Sequence, residues 1–235
     1  MDIDFDVQQL PEVIKALLDA TGLTGKDCLL YVQITRGVAP RTHAFPKNVP
    51  PTVMLYALPK TLPPINEAHA QVVTAKDYRW GRCDIKMTSL LGNVMLNEHA
   101  MGQGCYETIL LRNGVVTEAS HCNVFFVQDN VVRTHPANHH ILDGITRQIV
   151  LALCEHLGLE TSIDPVREAE IPYMDEAFLA GTSTQIAAIK QCNDHCFYQG
   201  NKLGNITQKL QTAFLKLKAG KLTLPLQQHD PTKTP

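Results

Sequence analysis

The sequence of 235 residues has no long apolar run, no excess of charge and no dense basic cluster. Its longest apolar stretch, from Ile149 to Cys154, has six residues, far short of the ~18 that a membrane-spanning helix needs. Lys and Arg number 21 against 23 Asp and Glu, so the basic surface of a nucleic-acid-binding protein is not expected. The acidic first residues also lack the basic and apolar regions of a signal peptide. We therefore expect a cytoplasmic protein whose partners are neither nucleic acids nor membranes.

The seven cysteines are odd in number and scattered along the chain. In a chain without an export signal, such cysteines are typically free thiols. Cys192 and Cys196, with His195 between them, have the residue types of half a metal site, but no second cysteine pair accompanies them. One alternative is a metal-binding protein that uses this pair together with His135, His139 and His140. The preferred interpretation assigns no metal ligands.

The first quarter of the chain has the patterns of one helix and two strands. Apolar side chains recur at helical spacing over residues 7–20, and Gly22 follows as a stop signal. Residues 28–36 and 52–58 are rich in branched and aromatic side chains and are predicted to be strands on either side of a loop. The proline-rich residues 59–66 indicate a domain boundary.

The remainder of the chain mixes strand and helix patterns. Residues 69–75 and 105–135 are predicted to be strands, the second run forming a meander, with a helix between them that starts near Ser89. A second amphipathic helix follows Gly144, and residues 177–190 form a strand with a hydroxyl-rich turn. We expect a mixed α/β fold with a largely antiparallel second half and a polar tail that frays.

Two residues have the chemistry of a reactive amine and of a carboxylate that holds a cation. Lys86 lies in RCDIKMTSLLGN, a strand-like run that leads into a helix. A lysine partly withdrawn from water loses proton affinity and is able to react with an aldehyde cofactor, although most such lysines are solvated. Glu118 lies on an apolar strand, where it either points to water or is buried with a cationic partner such as a protonated pyridine nitrogen.

Three further segments are candidates for binding anions. The helix that opens at Gly144 presents free N–H groups that suit a phosphate, or is an ordinary helix start. The Gly181–Thr184 turn is a second possible cradle, or a polar turn. Arg41 and His43 are placed to converge on a carboxylate, or are exposed loop residues.

Taken together and in this order, the motifs resemble those of the fold-type IV PLP-dependent aminotransferases, and within that group the D-amino acid aminotransferases. The Arg-x-His loop motif distinguishes the chain from branched-chain aminotransferases and aminodeoxychorismate lyases, and the resemblance extends from about residue 1 to about residue 220. The motifs are RGVAPRTHAFP, RCDIKMTSLLGN, GCYETILLRNGVVTEAS, ILDGITR and GTST.

The resemblance implies a two-domain architecture. Residues 1–62 would form a partial small α/β domain, and residues 63–220 a larger, β-barrel-like PLP-binding domain with flanking helices. Residues 221–235 would be a polar tail.

The resemblance also implies pyridoxal 5′-phosphate as the cofactor. Lys86 matches the lysine that forms the internal aldimine and then moves the proton between the substrate Cα and the cofactor C4′. Glu118 matches the carboxylate that keeps the pyridine nitrogen protonated, so that the ring acts as an electron sink. Ile145, Thr146 and Thr182 match the residues that bind the phosphate.

The implied reaction is transamination between a D-amino acid such as D-alanine and a 2-oxo acid such as 2-oxoglutarate. Arg41 and His43 match the trap for the substrate α-carboxylate, which decides which Cα–H faces the lysine. Family members are homodimers with the active site near the subunit boundary. Two alternatives remain: a branched-chain L-amino acid aminotransferase and a truncated, non-catalytic remnant of the family.

The chain departs from the family pattern at two places. His121 stands where a small serine is usual, close to the expected edge of the cofactor, and is bulkier and ionisable. Family members also carry about fifty residues before the position that aligns with Met1. We expect that segment to supply strands of the small domain, a tyrosine of the carboxylate trap and a phosphate-binding arginine.

Overall fold

The computed structural model describes residues 3–67, 69–200 and 202–225. The chain divides into two compact units, Met1–Leu62 and Pro63–Pro235, and each is described by itself. None of the helices in these described ranges has both the length and the apolar character needed to cross a membrane.

The described part of the first unit consists of a short 3₁₀ helix (Val7–Gln9), an α-helix and a two-stranded antiparallel sheet. Helix α1 (Leu10–Thr21) has a proline in its first turn and ends at Gly22, which takes the left-handed conformation with φ 66°. Strands β1 (Cys28–Thr35) and β2 (Thr52–Pro59) pair along their whole length. The predictions of a helix, two strands and an intervening loop are confirmed.

The described part of the second unit contains three α-helices, two short 3₁₀ helices (Ile65–Glu67 and Glu168–Tyr173) and nine strands. In chain order the strands and α-helices are β3 (His69–Lys76), α2 (Leu91–Met101), β4 (Glu107–Arg112), β5 (Val115–Ala119), β6 (Asn123–Gln128), β7 (Val131–Thr134), α3 (Ile145–His156), β8 (Thr161–Ser162), β9 (Glu176–Gly181), β10 (Gln185–Cys192), β11 (His195–Cys196) and α4 (Asn205–Lys218). The main path of the sheet runs β5-β4-β3-β10-β9-β6-β7-β8, with β11 paired to β10.

The sheet is mixed, and its strand order corrects the predicted meander. Strand β3 runs parallel to both of its neighbours, β4 and β10, whereas the pairs of β6 with β7 and β9 are antiparallel. The segment 115–127 is two strands instead of one, because residues 120–122 interrupt it. Since β5 and β6 are joined by these three residues yet have four strands between them in the sheet order, the sheet must curl.

One prediction of local structure was wrong, and one element was not predicted. Residues 79–90 contain turns and bends in place of a strand, so Lys86 lies in an irregular connection. Helix α2 begins at Leu91, which confirms its predicted start near Ser89. Helix α4 was not predicted from the sequence. Its buried face includes the polar residues Thr207 and Gln211 beside Leu210 and Phe214, which weakens the apolar pattern in the sequence.

Both faces of the sheet are buried, each against its own core. Phe125 and Phe178 are paired residues of β6 and β9, and their rings stack at 5.0 Å on the face covered by α3 and α4. Phe126 and Leu179, the next residues along the two strands, point to the other core, as the two-residue period of a strand requires. Leu224 packs in the helix-covered core. The predicted fraying of the tail concerns mainly residues 226–235, which lie outside the described residues.

Glu176, from the start of β9, caps helix α4. One carboxylate oxygen accepts a hydrogen bond from the Ile206 N–H at 3.0 Å, and the other accepts from the Thr207 N–H at 2.7 Å and the Thr207 hydroxyl at 2.6 Å. A Cβ at Gly204, the N-cap position, would lie 1.9 Å from the Glu176 Cδ. Gly204 therefore makes room for a carboxylate that satisfies the first N–H groups of the helix.

Replacing Glu176 should destabilise the second unit. We expect Glu176→Ala to lower the free energy of unfolding by about 1–2 kcal/mol, because an N-cap acceptor is lost. Urea denaturation measures the change, with Glu155→Ala as the control, since Glu155 is an exposed glutamate in α3. Equal denaturation midpoints for the two variants would contradict the capping role.

Candidate functional site

The carboxylate of Glu118, the fourth residue of β5, is buried and surrounded by hydrogen-bond donors. Oε1 accepts from Arg79 Nη1 at 2.7 Å, and Oε2 accepts from Asn123 Nδ2 and from the Leu142 N–H, both at 3.1 Å. Only 5% of the residue is exposed. Because a carboxylate has about four acceptor positions, these three bonds leave it able to accept one more.

Arg79 is the cationic partner of Glu118, and sequence reasoning missed it. Asp77 accepts from Arg79 through both oxygens, at 3.0 and 3.1 Å, and also pairs with Arg112 at 3.1 Å. The second Nη group of Arg79 donates to the His140 carbonyl as well. The requirement for a cation beside a buried Glu118 was evident from the sequence, but nothing local identified an arginine 39 positions earlier.

Opposing effects act on the pKa of Glu118. Burial raises the pKa of this carboxyl group to about 7, although the charge and hydrogen bond of Arg79 and the Leu142 N–H act to lower it. The carboxyl group therefore changes its protonation state near pH 7, and Arg79 favours its ionised form.

Asn123 connects Glu118 to the start of helix α3. Its Nδ2 donates to both Glu118 and the Leu142 carbonyl, and its Oδ1 would lie 2.5 Å from a Cβ at Gly144. Gly144 is the N-cap of α3 and can approach Asn123 this closely because it has no side chain. The structure thus brings the predicted helix start next to the predicted carboxylate.

The first turn of α3 has no side-chain cap. Thr146 is buried, whereas Ile145 is mostly exposed. An uncapped helix N-terminus offers free N–H groups and the positive end of the helix dipole, which together favour an anion.

The hydroxyl-rich turn lies beside the link between β5 and β6. Thr182 is exposed in the link between β9 and β10. A Cβ at Gly181 would lie 2.9 Å from the Cβ of Cys122, and the hydroxyls of Thr184 and Tyr106 are 3.0 Å apart. Cys122 therefore lies beside this turn, and the next residue, Asn123, lies beside the start of α3.

Lys86 is exposed in the connection between β3 and α2. No hydrogen bond or ion pair of Lys86 is present within the described ranges. The connection is anchored before it by the bond from the Cys83 N–H to the His139 carbonyl, and after it by the bond from Asn93 Nδ2 to the Ser120 carbonyl, at 2.9 and 2.7 Å. His139 shortly precedes Leu142 in the sequence, and Ser120 shortly follows Glu118, so both bonds join the connection to segments near the Glu118 carboxylate.

Arg41 and His43 lie in the first unit. Both are exposed in the loop between β1 and β2. The same loop holds the guanidinium of Arg36 3.6 Å from the ring centroid of Phe45, and Gly37 has φ 103° with no space for a Cβ beside the Pro50 carbonyl. The loop therefore has local structure that presents the two polar residues to solvent.

His121, the unusual residue of the β5–β6 link, pairs with the buried Glu107. The hydrogen bond with Glu107 raises the pKa of His121. Burial acts to raise the pKa of Glu107, but its contacts, led by the His121 hydrogen bond, lower it overall. The sequence suggested His121 only as a residue near the cofactor, and the structure shows that it also pairs directly with Glu107.

The alternative metal sites do not assemble. In the described part of the chain, neither the histidines at 135, 139 and 140 nor the cysteines at 192 and 196 with His195 bring three ligand atoms within range of one metal ion. The arrangement around Glu118 instead offers a carboxylate acceptor and an uncapped helix N-terminus, with the hydroxyl-rich turn beside Cys122.

Comparison with known proteins shows the family. The sequence profile described as amino-transferase class IV matches residues 1–192, and the chain belongs to that family.

Among its relatives, the D-alanine aminotransferase of Bacillus licheniformis is 36% identical over 214 residues, which are 91% of this chain and 75% of the relative. The D-alanine aminotransferase of Staphylococcus aureus strain N315 is 34% identical over 219 residues, 92% of this chain and 76% of the relative. The chain thus spans about three quarters of the length of these relatives.

Solved structures show the fold. The Escherichia coli branched-chain amino acid aminotransferase superposes with a TM-score of 0.82 at 22% identity, covering 95% of this chain and 75% of that one. The T.th. branched-chain enzyme in complex with N-(5′-phosphopyridoxyl)-L-glutamate gives 0.82 at 23% identity, covering 94% and 74%. The fold is that of the fold-type IV aminotransferases.

Removing Arg79 should raise the pKa of Glu118. In ligand-free protein, the protonated Glu118 carboxyl should disappear around pH 7 in the wild type and at higher pH in Arg79→Gln, because the stabilising cation is lost. Infrared spectroscopy of the carboxylic C=O stretch measures this, and Glu118→Gln identifies the band. Arg82→Gln, which removes an exposed arginine paired with Asp84, is the matched control.

The raised pKa of Glu118 also determines how its contribution to stability changes with pH. Because the folded-state pKa of Glu118 lies above its ordinary 4.5, its contribution to stability is complete below pH 4.5 and is lost as the pH rises through 7. If the infrared titration gives the same pKa for Glu118 in the wild type and in Arg79→Gln, Arg79 does not control this carboxyl group.

Proposed function

We propose that this chain is a PLP-dependent aminotransferase that transfers an amino group between a D-amino acid, such as D-alanine, and a 2-oxo acid, such as 2-oxoglutarate. Membership of the class IV family and relatives named D-alanine aminotransferase support the reaction and the substrate. The observation that carries the assignment to this site is the buried, ion-paired carboxylate of Glu118 beside an uncapped helix N-terminus.

The described residues fit the cofactor. Glu118 has an acceptor position left for a protonated pyridine nitrogen, and all three of its present partners are donors that favour its charged form. The free N–H groups at Ile145 and Thr146 and the hydroxyl of Thr182 would hold the phosphate. These residues lie on one large PLP-binding domain over residues 63–220.

Each residue then has a defined role. PLP supplies, when bound, an electron sink for the negative charge that develops at the substrate Cα. Glu118 would hold a proton at the pyridine nitrogen, and Arg79 would keep Glu118 ionised. Lys86 Nζ would carry the proton to and from the substrate Cα.

Arg41 and His43 are the proposed binding groups for the substrate carboxylate. Arg41 offers a planar fork of donors, and His43 adds a further donor. Both are exposed on a structured loop, so they are free to bind an anion. Holding the carboxylate there would determine which face of the substrate Cα the lysine can reach, and hence the preference for D-amino acids.

The proposed assembly is a cytoplasmic homodimer. Leu91, Val94, Met95 and Met101 of helix α2 are each more than half exposed, which is a large apolar surface for a single helix and supports a covered subunit interface. The seven cysteines are all free thiols, and this supports a reducing compartment.

A branched-chain L-amino acid aminotransferase is the second candidate. It is supported by the solved structures of branched-chain enzymes that share the fold. The branched-chain structures compared are at most 24% identical to this chain, whereas the D-alanine aminotransferases are 33–36% identical to it. We therefore prefer the proposal of a D-amino acid substrate to that of a branched-chain L-amino acid.

Lys86→Ala should abolish turnover. We expect D-alanine-dependent pyruvate formation to fall by at least the ~10²–10⁴-fold that a positioned acid–base group contributes, in protein supplied with PLP and 2-oxoglutarate. Borohydride treatment should leave the cofactor attached to Lys86 in the wild type, located by peptide mass spectrometry. Lys76→Ala, a change at another exposed lysine, should behave as wild type. Attachment at another lysine, or an active Lys86→Ala, would overturn the assignment.

Arg41→Gln should weaken substrate binding and leave the cofactor in place. The loss of charge-assisted hydrogen bonds, about 1.5–3 kcal/mol, should raise the KM for D-alanine about ten- to a hundredfold while PLP content stays constant. Steady-state kinetics measure this beside Lys47→Ala, which removes an exposed cation from the same loop. Equal KM values for the two variants would remove Arg41 from the carboxylate site.

A further inference from the structure

Glu107, His121 and Cys122 form a compact group of three potential metal ligands, here called the Glu107 cluster. A carboxylate oxygen, a ring nitrogen and the thiol sulfur of these residues all lie within 4.8 Å of one another. Glu107 is the first residue of β4, and the other two lie in the link between β5 and β6. In the described ranges this is the group whose ligand atoms are gathered closely enough for a metal ion.

The backbone fixes one oxygen of Glu107 and leaves the other facing the two side chains. Oε1 accepts from the N–H groups of Thr108 and Ser120, at 2.7 and 3.1 Å. Oε2 faces the Cys122 Sγ at 3.7 Å and the His121 Nδ1, and also accepts a longer bond of 3.3 Å from the His121 N–H. Bonds to the non-coordinating oxygen orient a carboxylate for metal binding.

Glu107 is a buried carboxylate with one ion-pair partner that reaches the surface. The residue is fully buried, and its ion pair within the described residues is with His121, whose side chain is 43% exposed. A divalent cation at Oε2 would place a fixed positive charge beside this buried carboxylate.

We propose that Glu107 Oε2, His121 Nδ1 and Cys122 Sγ bind one divalent transition-metal ion of the zinc class. Carboxylate, imidazole and thiolate are the three ligand types that zinc takes in proteins. With bonds of ~2.0–2.3 Å in a tetrahedron, ligand atoms lie ~3.3–3.8 Å apart, so the 3.7 Å between sulfur and oxygen already fits. Water would occupy the fourth position.

Protons and charges balance on binding. The metal displaces the thiol proton of Cys122 and, where His121 is protonated, the proton on its Nδ1, and both are released to solvent. The charges of the carboxylate and the thiolate then cancel those of the ion. The exposed edge of His121 provides the route by which the ion enters.

The test uses the full chain as purified, washed with chelator and then titrated with Zn²⁺ or with Co²⁺ as a spectroscopic probe. Equilibrium dialysis should give one Zn²⁺ per chain for the wild type and for Cys196→Ser, which removes an exposed cysteine away from the cluster. His121→Ser and Cys122→Ser should bind more weakly by at least the ~10–100-fold that the loss of even an outer-shell partner costs.

The cobalt spectrum gives an independent readout. The wild type should show the visible d–d bands of a tetrahedral site and a thiolate-to-cobalt charge-transfer band, and Cys122→Ser should lack the latter. A wild type that binds no metal, a cobalt site without thiolate, or equal binding in all three variants would overturn the proposal. If Cys122→Ser is misfolded by circular dichroism, the wild-type spectrum and the exposed-site variant His121→Ser decide the outcome.

Discussion

Strands β5 and β6 are joined by three residues but are separated by four strands in the order of the sheet. This short link forces the sheet to curl until the end strand β5 approaches β6. The same link carries Ser120, His121 and Cys122, and it is flanked by Glu118 and Asn123. The link lies beside the β9–β10 turn, and Asn123 at its end bonds next to the start of α3, so the fold gathers these segments near Glu118.

Two buried carboxylates flank this link and differ in their partners. Glu118 is paired with Arg79, which stays charged at every physiological pH, and Asp77 holds that arginine in turn. Glu107 is paired with His121, whose charge depends on pH. The first arrangement leaves an acceptor position beside a permanent cation, and the second gathers the ligand atoms of the proposed metal site.

Much of the local structure followed from patterns in the sequence. Helices α1 and α3 have strong apolar periodicity, and Gly22 and Gly144 mark an end and a start. The resemblance of ordered motifs led to the family and to the candidate residues. Asn123 connects the candidate Glu118 to the start of α3, which carries Thr146, and Cys122 lies beside Gly181, which precedes Thr182.

The sequence failed where contacts between distant residues decide the structure. The run from Val115 to Val127 reads as one strand, because nothing local shows that it must change partners at residues 120–122. Arg79 and Glu107 gain their importance from residues 39 and 14 positions away. Helix α4 depends on Glu176, which caps it from 30 positions earlier. Such pairings arise from tertiary structure and leave little trace in local patterns.

The most direct test of the proposed function compares D-alanine with L-leucine as amino donors for the PLP-loaded full chain, with 2-oxoglutarate as the acceptor. The account predicts that glutamate forms with D-alanine, accompanied by pyruvate, and that L-leucine competes poorly. Preferential use of L-leucine would contradict the D-amino acid assignment while leaving the chemistry of the site intact. No transfer from either donor, in folded protein that retains PLP, would contradict the proposed activity of this chain.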